Sequence, residues 1–472
     1  MKKTLFLLAI SLLLATPVLA ETQSVADQPA IDQPAANQPA NDTGGLTMNY
    51  KGITINFGGF LEAAAIYRNK NMNADVGTAF QKLPLSNSAG YYQQETDFSA
   101  RQSRLSLLVK GDYNPQTHLA GYYEMDFLGA ATTANSNESN SYNPRIRHLY
   151  TTVDWDACGL HLLAGQTWSL VTLNDKGITP RNEVTPAVID AQYVPGFSWA
   201  RQPQFRIVGD WNKKFWLALS IENAQTANAA TGPNKSANDN LGIGQTAGSN
   251  FQGTMSANTW PDVVLKLALE PGWGHFEIFD LFRSFESSIA VNGGVTNSNP
   301  TSNAVGVGII LPIVPEILKF QFSGLWGDGI GRYGSGQLPD VTLDPYGNLV
   351  TVHELQLLGG LKFDPTSKWS FYAYYGYEKV DQNAWNVAGK GYGLGSPLYV
   401  TTVGAPVSSN QAQVSGISQF TAGFWWKFYQ GRIGTMQAGL QYSYTKDDYF
   451  SGIGGTPSAD NSIVMASLRY YW

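Results

Sequence analysis

In this 472-residue chain, the side chains best placed to do chemistry are arginines and carboxylates crowded into the first half. Arg101 and Arg104 sit in Asp97–Ser106, Arg145 and Arg147 in Pro144–Tyr150, and Arg201 and Arg206 in one six-residue stretch. Glu124 and Asp126 lie between the first two groups. The segment Val171–Ala200 adds Asp175, Arg181, Glu183, Asp190 and Tyr193. A guanidinium group is charged at any working pH and forks onto carboxylate or phosphate, so arginines gathered around one loop suit a path for small anions. The same residues admit a second reading, in which the arginines pair with Asp97, Glu124, Asp126 and Glu183 and brace a wall. Other chemistry is thin. The five histidines lack metal-ligand spacing. Ser, His and Asp are scattered without a nucleophile elbow. The glycines of Gly327–Gly336 fall in a polar loop, so they do not make a nucleotide fingerprint. The expectation is no catalytic residue, no metal and no cofactor, with His148 the one candidate for an acid–base role.

The elements that would hold these residues have a period of two. Ile53, Ile55, Phe57, Leu61, Ala63, Ala65 and Tyr67 share one face, and Thr54, Asn56, Glu62 and Arg68 the other. Such alternation is a strand with one apolar and one polar face. It recurs over Thr117–Phe127, Lys214–Glu222, Asp262–Glu270, Ile317–Gly327, Ile417–Phe428, Ile433–Thr445 and Ser462–Trp472. The connections alternate between short turns, such as Asp112–Gln116 and Tyr429–Arg432, and long segments rich in Gly, Asn, Ser and Thr, such as Asn69–Asp97 and Asp381–Gly416. Seven short turns and eight long loops join sixteen strands. An even count with both ends on the short-turn side is the pattern of an all-β, antiparallel transmembrane barrel with short periplasmic turns and long extracellular loops. Eighteen strands is the alternative count, because Glu277–Phe285 alternates poorly. Aromatics beside the short turns, among them Tyr113, Trp155, Trp211, Trp273, Trp369 and Phe428, would form the periplasmic girdle.

Composition agrees. Only 14% of residues are charged while 43% are hydrophobic and 49 are glycine, and no mature segment is long and apolar enough for a membrane-spanning helix. The net charge of −6 argues against nucleic acid as a partner. Met1–Ala20 has a Lys2-Lys3 start, an apolar centre and a small-x-small end at Val18-Leu19-Ala20, the form of an export signal. Residues 21–50 contain a five-residue repeat with Pro29, Pro34 and Pro39, which favours an extended periplasmic tether. The barrel is then expected over 51–472. Cys158, the lone cysteine, falls in a periplasmic turn.

Asp97–Ser106, Pro144–Tyr150, Leu163–Ser169, Tyr193–Phe197 and Arg201–Arg206 together resemble the DcaP-like trimeric porins of Gram-negative outer membranes. The likeness is specific over about Phe98–Arg206 and general beyond it. It implies a sixteen-stranded homotrimer in outer-membrane lipid and lipopolysaccharide, a constriction loop folded into the lumen, and ion transport or uptake of small hydrophilic, often anionic solutes. The helical stalk with which family members often begin is ruled out here by the proline repeat, which would leave the trimer resting on the barrel walls. An outer-membrane enzyme or a loop-borne adhesin is the competing function class.

Strand parity then orients the charges. If Leu105 and Phe205 face lipid, Arg104 and Arg206 face the lumen. By the same rule Glu124, Asp126 and, less regularly, His148 and Tyr150 point inward, with Arg101, Arg145 and Arg147 at the loop ends of their strands. Val171–Ala200, stiffened by Pro180, Pro186 and Pro195, is expected to fold into the pore and to set its acidic and aromatic groups against the arginines.

Overall fold

The alternation is realised as sixteen antiparallel strands closed into a barrel in the computed structural model, which describes residues 46–86, 88–129, 142–228, 245–246, 258–291, 294–397, 412–452 and 455–472. The export signal and most of the tether lie outside these residues. In chain order the barrel strands are β1 (Ile53–Arg68), β2 (Glu95–Ser99 continuing as Arg104–Asn114), β3 (Thr117–Asp126), β4 (Arg145–Trp155), β5 (Leu160–Trp168), β6 (Arg201–Trp211), β7 (Phe215–Glu222) and β8 (Asp262–Leu269). They continue as β9 (His275–Ser284), β10 (Thr301–Val314), β11 (Leu318–Asp328), β12 (His353–Thr366), β13 (Trp369–Val380), β14 (Val414–Gly431), β15 (Gly434–Tyr449) and β16 (Ser458–Tyr471). Each pairs with the next, and β16 closes on β1 with Tyr471 opposite Phe60 and Ile463 opposite Arg68. Closure leaves no open edge in the wall, as a lipid environment demands. Among the described residues helix is limited to three short 3-10 turns, Phe80–Lys82, Ala89–Tyr92 and Gly331–Tyr333.

The count is sixteen because the poorly alternating segment near Glu277 is a full strand. On β9, His275, Glu277, Phe279, Leu281 and Arg283 face inward while Ile278 and Asp280 face out. The pattern blurs in sequence because two inward positions, Phe279 and Leu281, are apolar. They pack against Leu170, Val171 and Ile178 of the chain folded into the lumen. A filled lumen thus makes both faces of a strand apolar, and the period-two signal fades.

At the N-terminus the sheet starts earlier than Lys51. Leu46–Tyr50, expected as the end of the tether, is a strand paired with Ile53–Phe57 of β1. The two-residue turn between them is Lys51 (φ 49°) and Gly52 (φ 83°), the left-handed pair that a tight hairpin requires. This leading strand keeps the wall's parity. Leu46, Met48 and Tyr50 share the exposed apolar face of Ile53 and Phe57, while Thr47 and Asn49 bond Asn56 and Thr54 on the other face.

The outer wall is a belt of exposed apolar side chains, including Leu61, Leu105, Leu149, Phe205, Leu219, Leu267, Leu361 and Phe420. Near the short turns, Trp369 stacks on both Phe371 and Trp426, and Trp211, Trp273 and Tyr113 are exposed. Exposed apolar surface of this extent is stable only against lipid.

Candidate functional site in the barrel lumen

One irregularity in β4 shapes the arginine wall. Its ladder with β3 runs Asp126 opposite Arg145, Met125 opposite Ile146, then Glu124 opposite His148. Arg147 is the extra residue of a β-bulge, so Arg147 and His148 both turn inward between the exposed Ile146 and Leu149. A bulge re-aims a side chain at the cost of one ladder position. Here it places Arg147 on Glu124 at 2.5 Å and on Asp126 at 3.1 Å. Arg145 also binds Asp126, at 2.7 Å. Arg104 comes from β2 and stands 4.0 Å from Glu124, with its guanidinium above the Phe60 ring. Arg201 opens β6 and lies 4.7 Å and 5.1 Å from the rings of Trp168 and Trp199. Four guanidinium groups therefore gather around two carboxylates on neighbouring strands, an excess of two positive charges within this cluster. Arg201 Nη1 is buried without a hydrogen-bond acceptor among the described residues, an arrangement that favours an incoming anion.

The other arginines of the cluster serve differently. Arg206 is 4% exposed and faces inward as parity requires. It donates to the Trp168 carbonyl at 2.7 Å and to Gln204 Oε1 at 3.0 Å. Arg101 binds Asp75 at 2.6 Å and the carbonyls of Phe127 and Gly129. Arg181 reaches the Tyr150 hydroxyl at 3.4 Å. The bracing pairs expected with Glu124 and Asp126 are present. Asp97 instead lies 4.0 Å from Arg68, and Glu183 accepts the Arg181 amide at 2.8 Å while its Oε1 has no donor. Burial raises the Glu183 carboxyl above its usual range, opposed by the charge of Arg206. His148 is buried, 2.9 Å from Thr167 Oγ1.

Val171–Ala200 leaves β5 and returns to β6, and it crosses to the far side of the barrel. Its backbone is fixed there by side chains of β12–β15. Ile189 N donates to Gln441 at 2.6 Å, Gly196 N to Glu378 at 2.6 Å, and Trp425 Nε1 donates to the Ala187 carbonyl at 2.9 Å. On the near side Gln102 donates to the Ile189 carbonyl at 2.6 Å. Val188, Ile189, Val194 and Phe197 are almost fully buried, packed with Ala64, Ile66, Leu358, Tyr372 and Met465 of the wall. Gly196 (φ 80°) is required, because a Cβ there would overlap the Leu357 carbonyl. The first half of the loop is tied down by ions. Lys266 binds the Thr172 carbonyl at 2.8 Å and Glu277 at 2.8 Å, Lys319 binds Asp175 at 2.8 Å, and His275 bridges Glu270 and Glu277 at 2.6 Å and 3.0 Å.

Two further loops enter the lumen, and sequence reading treated both as polar surface. Asp190 accepts from Thr78 N at 3.0 Å and Thr78 Oγ1 at 2.5 Å, which joins the first long loop to the crossing one. Burial raises the Asp190 carboxyl above its usual value against the pull of those bonds. Trp199 N donates to the Tyr333 carbonyl at 2.7 Å, and Ile330, Tyr333, Leu338 and Val341 are fully buried. Runs such as Val76–Phe80 and Ile330–Tyr333 held a faint signal of this, since isolated apolar residues in a Gly-rich loop need somewhere to pack. Trp168, Trp199, Gln102 and Lys266 were not singled out either.

The fold has solved counterparts. The DcaP outer-membrane channel of Acinetobacter baumannii superposes with a TM-score of 0.62 at 19% identity, over 91% of this chain and 100% of that one. OmpT of Vibrio cholerae gives 0.46 at 11% identity over 90% and 99%. Salmonella typhi OmpF, in complex with daunomycin, gives 0.46 at 10% identity over 90% and 100%. No protein-family model and no curated protein sequence matches the chain. At this identity the superposition speaks for fold. The chain has the sixteen-stranded fold of the DcaP outer-membrane channel, the protein family that its strand motifs resemble.

Proposed function

We propose that the protein is an outer-membrane porin that conducts small hydrophilic anions by substrate-selective diffusion. The observation that carries this reading is the lumen-facing excess of arginine on β2, β4 and β6, beside a loop bonded to both walls. Selectivity in such a pore is electrostatic and steric. A solute passing the crossing loop meets Arg104, Arg145, Arg147 and Arg201 gathered around Glu124 and Asp126, and an anion loses least there on leaving bulk water. The extent of loop packing supports a selective path over a wide general one. Arg101, Arg145, Arg147 and Arg181, paired within the wall or loops, set the local field and hold the constriction's shape. Glu183 and Asp190 belong to the loop's own bracing.

The functional unit is a homotrimer in the outer membrane, delivered by the export signal at 1–20 and carrying 21–45 as a periplasmic tether. The reading is of a channel without catalytic residues, and bilayer conductance separates it from a closed enzyme barrel. Reversal potential under a salt gradient tests the charge preference. A cation-selective wild type refutes the anion reading, and an electrically silent barrel refutes the channel. Cross-linking in mild detergent should give a species of about three chains, and a monomer under every mild condition refutes the trimer.

A further inference from the structure

Next to the seam where β16 closes on β1, three adjacent strands place a set of oxygen acceptors around Thr445. The inward positions of β15 there are Thr445 and Asp447. Thr445 is paired with Gln419 of β14 and with Asn461 of β16. Asp447 lies two residues further along the same face, opposite Ile417 and Ala459. Neighbouring strands are about 4.8 Å apart, and diagonal partners on one face have Cβ atoms about 7–8 Å apart, within reach of side chains of this length. Register thus sets Asp447, Gln419 and Asn461 on one face of three adjacent strands, within side-chain reach of one another.

Four oxygens of this set have no donor among the described residues: both carboxylate oxygens of Asp447, Oε1 of Gln419 and Oδ1 of Asn461. All three side chains are buried to 1% exposure or less. Asn461 Nδ2 donates to the Lys70 carbonyl at 2.9 Å, which only an amide nitrogen can do and which fixes that amide. Gln419 Nε2 donates to Thr445 Oγ1 at 2.8 Å, which leaves its Oε1 as the second amide oxygen without a donor. The lysines beside these positions, and Arg68 opposite Ile463, are engaged with other carboxylates. Lys446 binds Asp448 at 2.6 Å on the outward face, and Lys70 binds Asp460 at 2.9 Å. Beside these residues, Met72, Leu83, Tyr449 and Ala459 form an apolar cap. A buried carboxylate with neither ion pair nor donor is strongly disfavoured, and so are two buried amide oxygens without a donor.

We propose that Asp447, Gln419 and Asn461 form a binding site for one monovalent cation of sodium or potassium size. One formal negative charge and four neutral or anionic oxygens match a hard, singly charged ion. Calcium, which takes six to eight oxygens and usually several carboxylates, is poorly served. The ion would neutralise Asp447 and pin β14, β15 and β16 beneath the first long loop. This goes beyond the proposed anion path, on different strands.

The test uses thallous ion, which scatters anomalously and substitutes for potassium. Crystals of the full-length protein soaked in thallous acetate at pH 8 should show anomalous density beside Asp447. Potassium acetate should displace it, and Asp447→Asn should lower its occupancy at least tenfold. In detergent, the unfolding temperature of the wild type should rise in potassium relative to choline at equal ionic strength, with no such rise in Asp447→Asn. If that variant does not fold, Gln419→Met, which removes one oxygen, should weaken thallium occupancy. The proposal is overturned by absence of density in the wild type, by density that persists in Asp447→Asn, or by equal potassium dependence in both proteins. An infrared carboxylic-acid band at pH 8 in potassium buffer that vanishes in Asp447→Asn also overturns it, since a proton would then neutralise the site. None of these readouts involves ion flux, so they stand or fall apart from the porin reading.

Discussion

Replacing Arg104 and Arg206 together by alanine should move the channel toward cations. Both side chains face the lumen at 5% and 4% exposure, Arg104 at 4.0 Å from Glu124 and Arg206 bonded to the Trp168 carbonyl and Gln204. Arg147 sits directly on Glu124. An anion about 6 Å from one guanidinium gains about 0.7 kcal/mol in a water-like dielectric and about 2.8 kcal/mol at an effective dielectric of about 20. Screening with a Debye length of about 8 Å at about 0.15 M salt roughly halves this. The lower bound is about 0.35 kcal/mol per arginine. Two arginines, acting with opposite sign on a cation, then shift the anion-to-cation preference by about 1.4 kcal/mol, a factor of about ten. The assay is reversal potential across a planar bilayer under a potassium chloride gradient, for wild type, the double alanine variant and Arg104→Lys with Arg206→Lys. The lysine pair keeps the charge and should stay close to wild type. An unchanged reversal potential in a folded, conducting alanine variant would show that both arginines are braces, Arg206 through its bond to the Trp168 carbonyl, and would refute their part in the anion path.

Deleting Pro186–Val194 removes the buried centre of the crossing loop, including Val188, Ile189 and Val194; single-channel conductance should rise, and an unaltered conductance would place the constriction elsewhere. Asp190→Asn tests the buried carboxyl under the first loop. Because burial raises its pKa in the folded state, folding takes up a proton there, so wild-type stability should fall relative to the variant as pH rises from the ordinary carboxyl range through the raised value; parallel stability–pH curves in detergent would contradict this. Cys158, exposed in the turn between β4 and β5, should react with a maleimide too large for the pore only when the periplasm is opened; labelling on intact cells would invert the assigned topology.

The period-two pattern on its own is enough for the barrel and the inward parity of Arg104, Glu124, Asp126 and Arg206, while it leaves the strand count between sixteen and eighteen. Lipid is a uniform solvent, so outward positions within the apolar belt are apolar, and that one constraint is written at alternate residues along β1, β6 or β15. Positions that answer to a specific neighbour were hidden. The bulge that turns Arg147 and His148 in together is set by where β3 and β4 register, and nothing in Ile146–Leu149 alone announces it. The strand at Leu46–Tyr50 follows a proline-rich stretch and forms because β1 extends past its ladder with β16, leaving Ile53–Phe57 free to pair.

Sequence also placed Val171–Ala200 in the lumen from its prolines and apolar residues. What it met there was decided by the tertiary structure alone. Contacts such as Ile189 to Gln441 and Thr78 to Asp190 join residues 252 and 112 positions apart, and their partners are chosen by barrel geometry, not by local pattern. The same holds for the pairing of arginines and acids. A charge's side of the wall follows from one strand's parity, whereas which charges remain unanswered depends on distances between strands, and only the closed barrel fixes those.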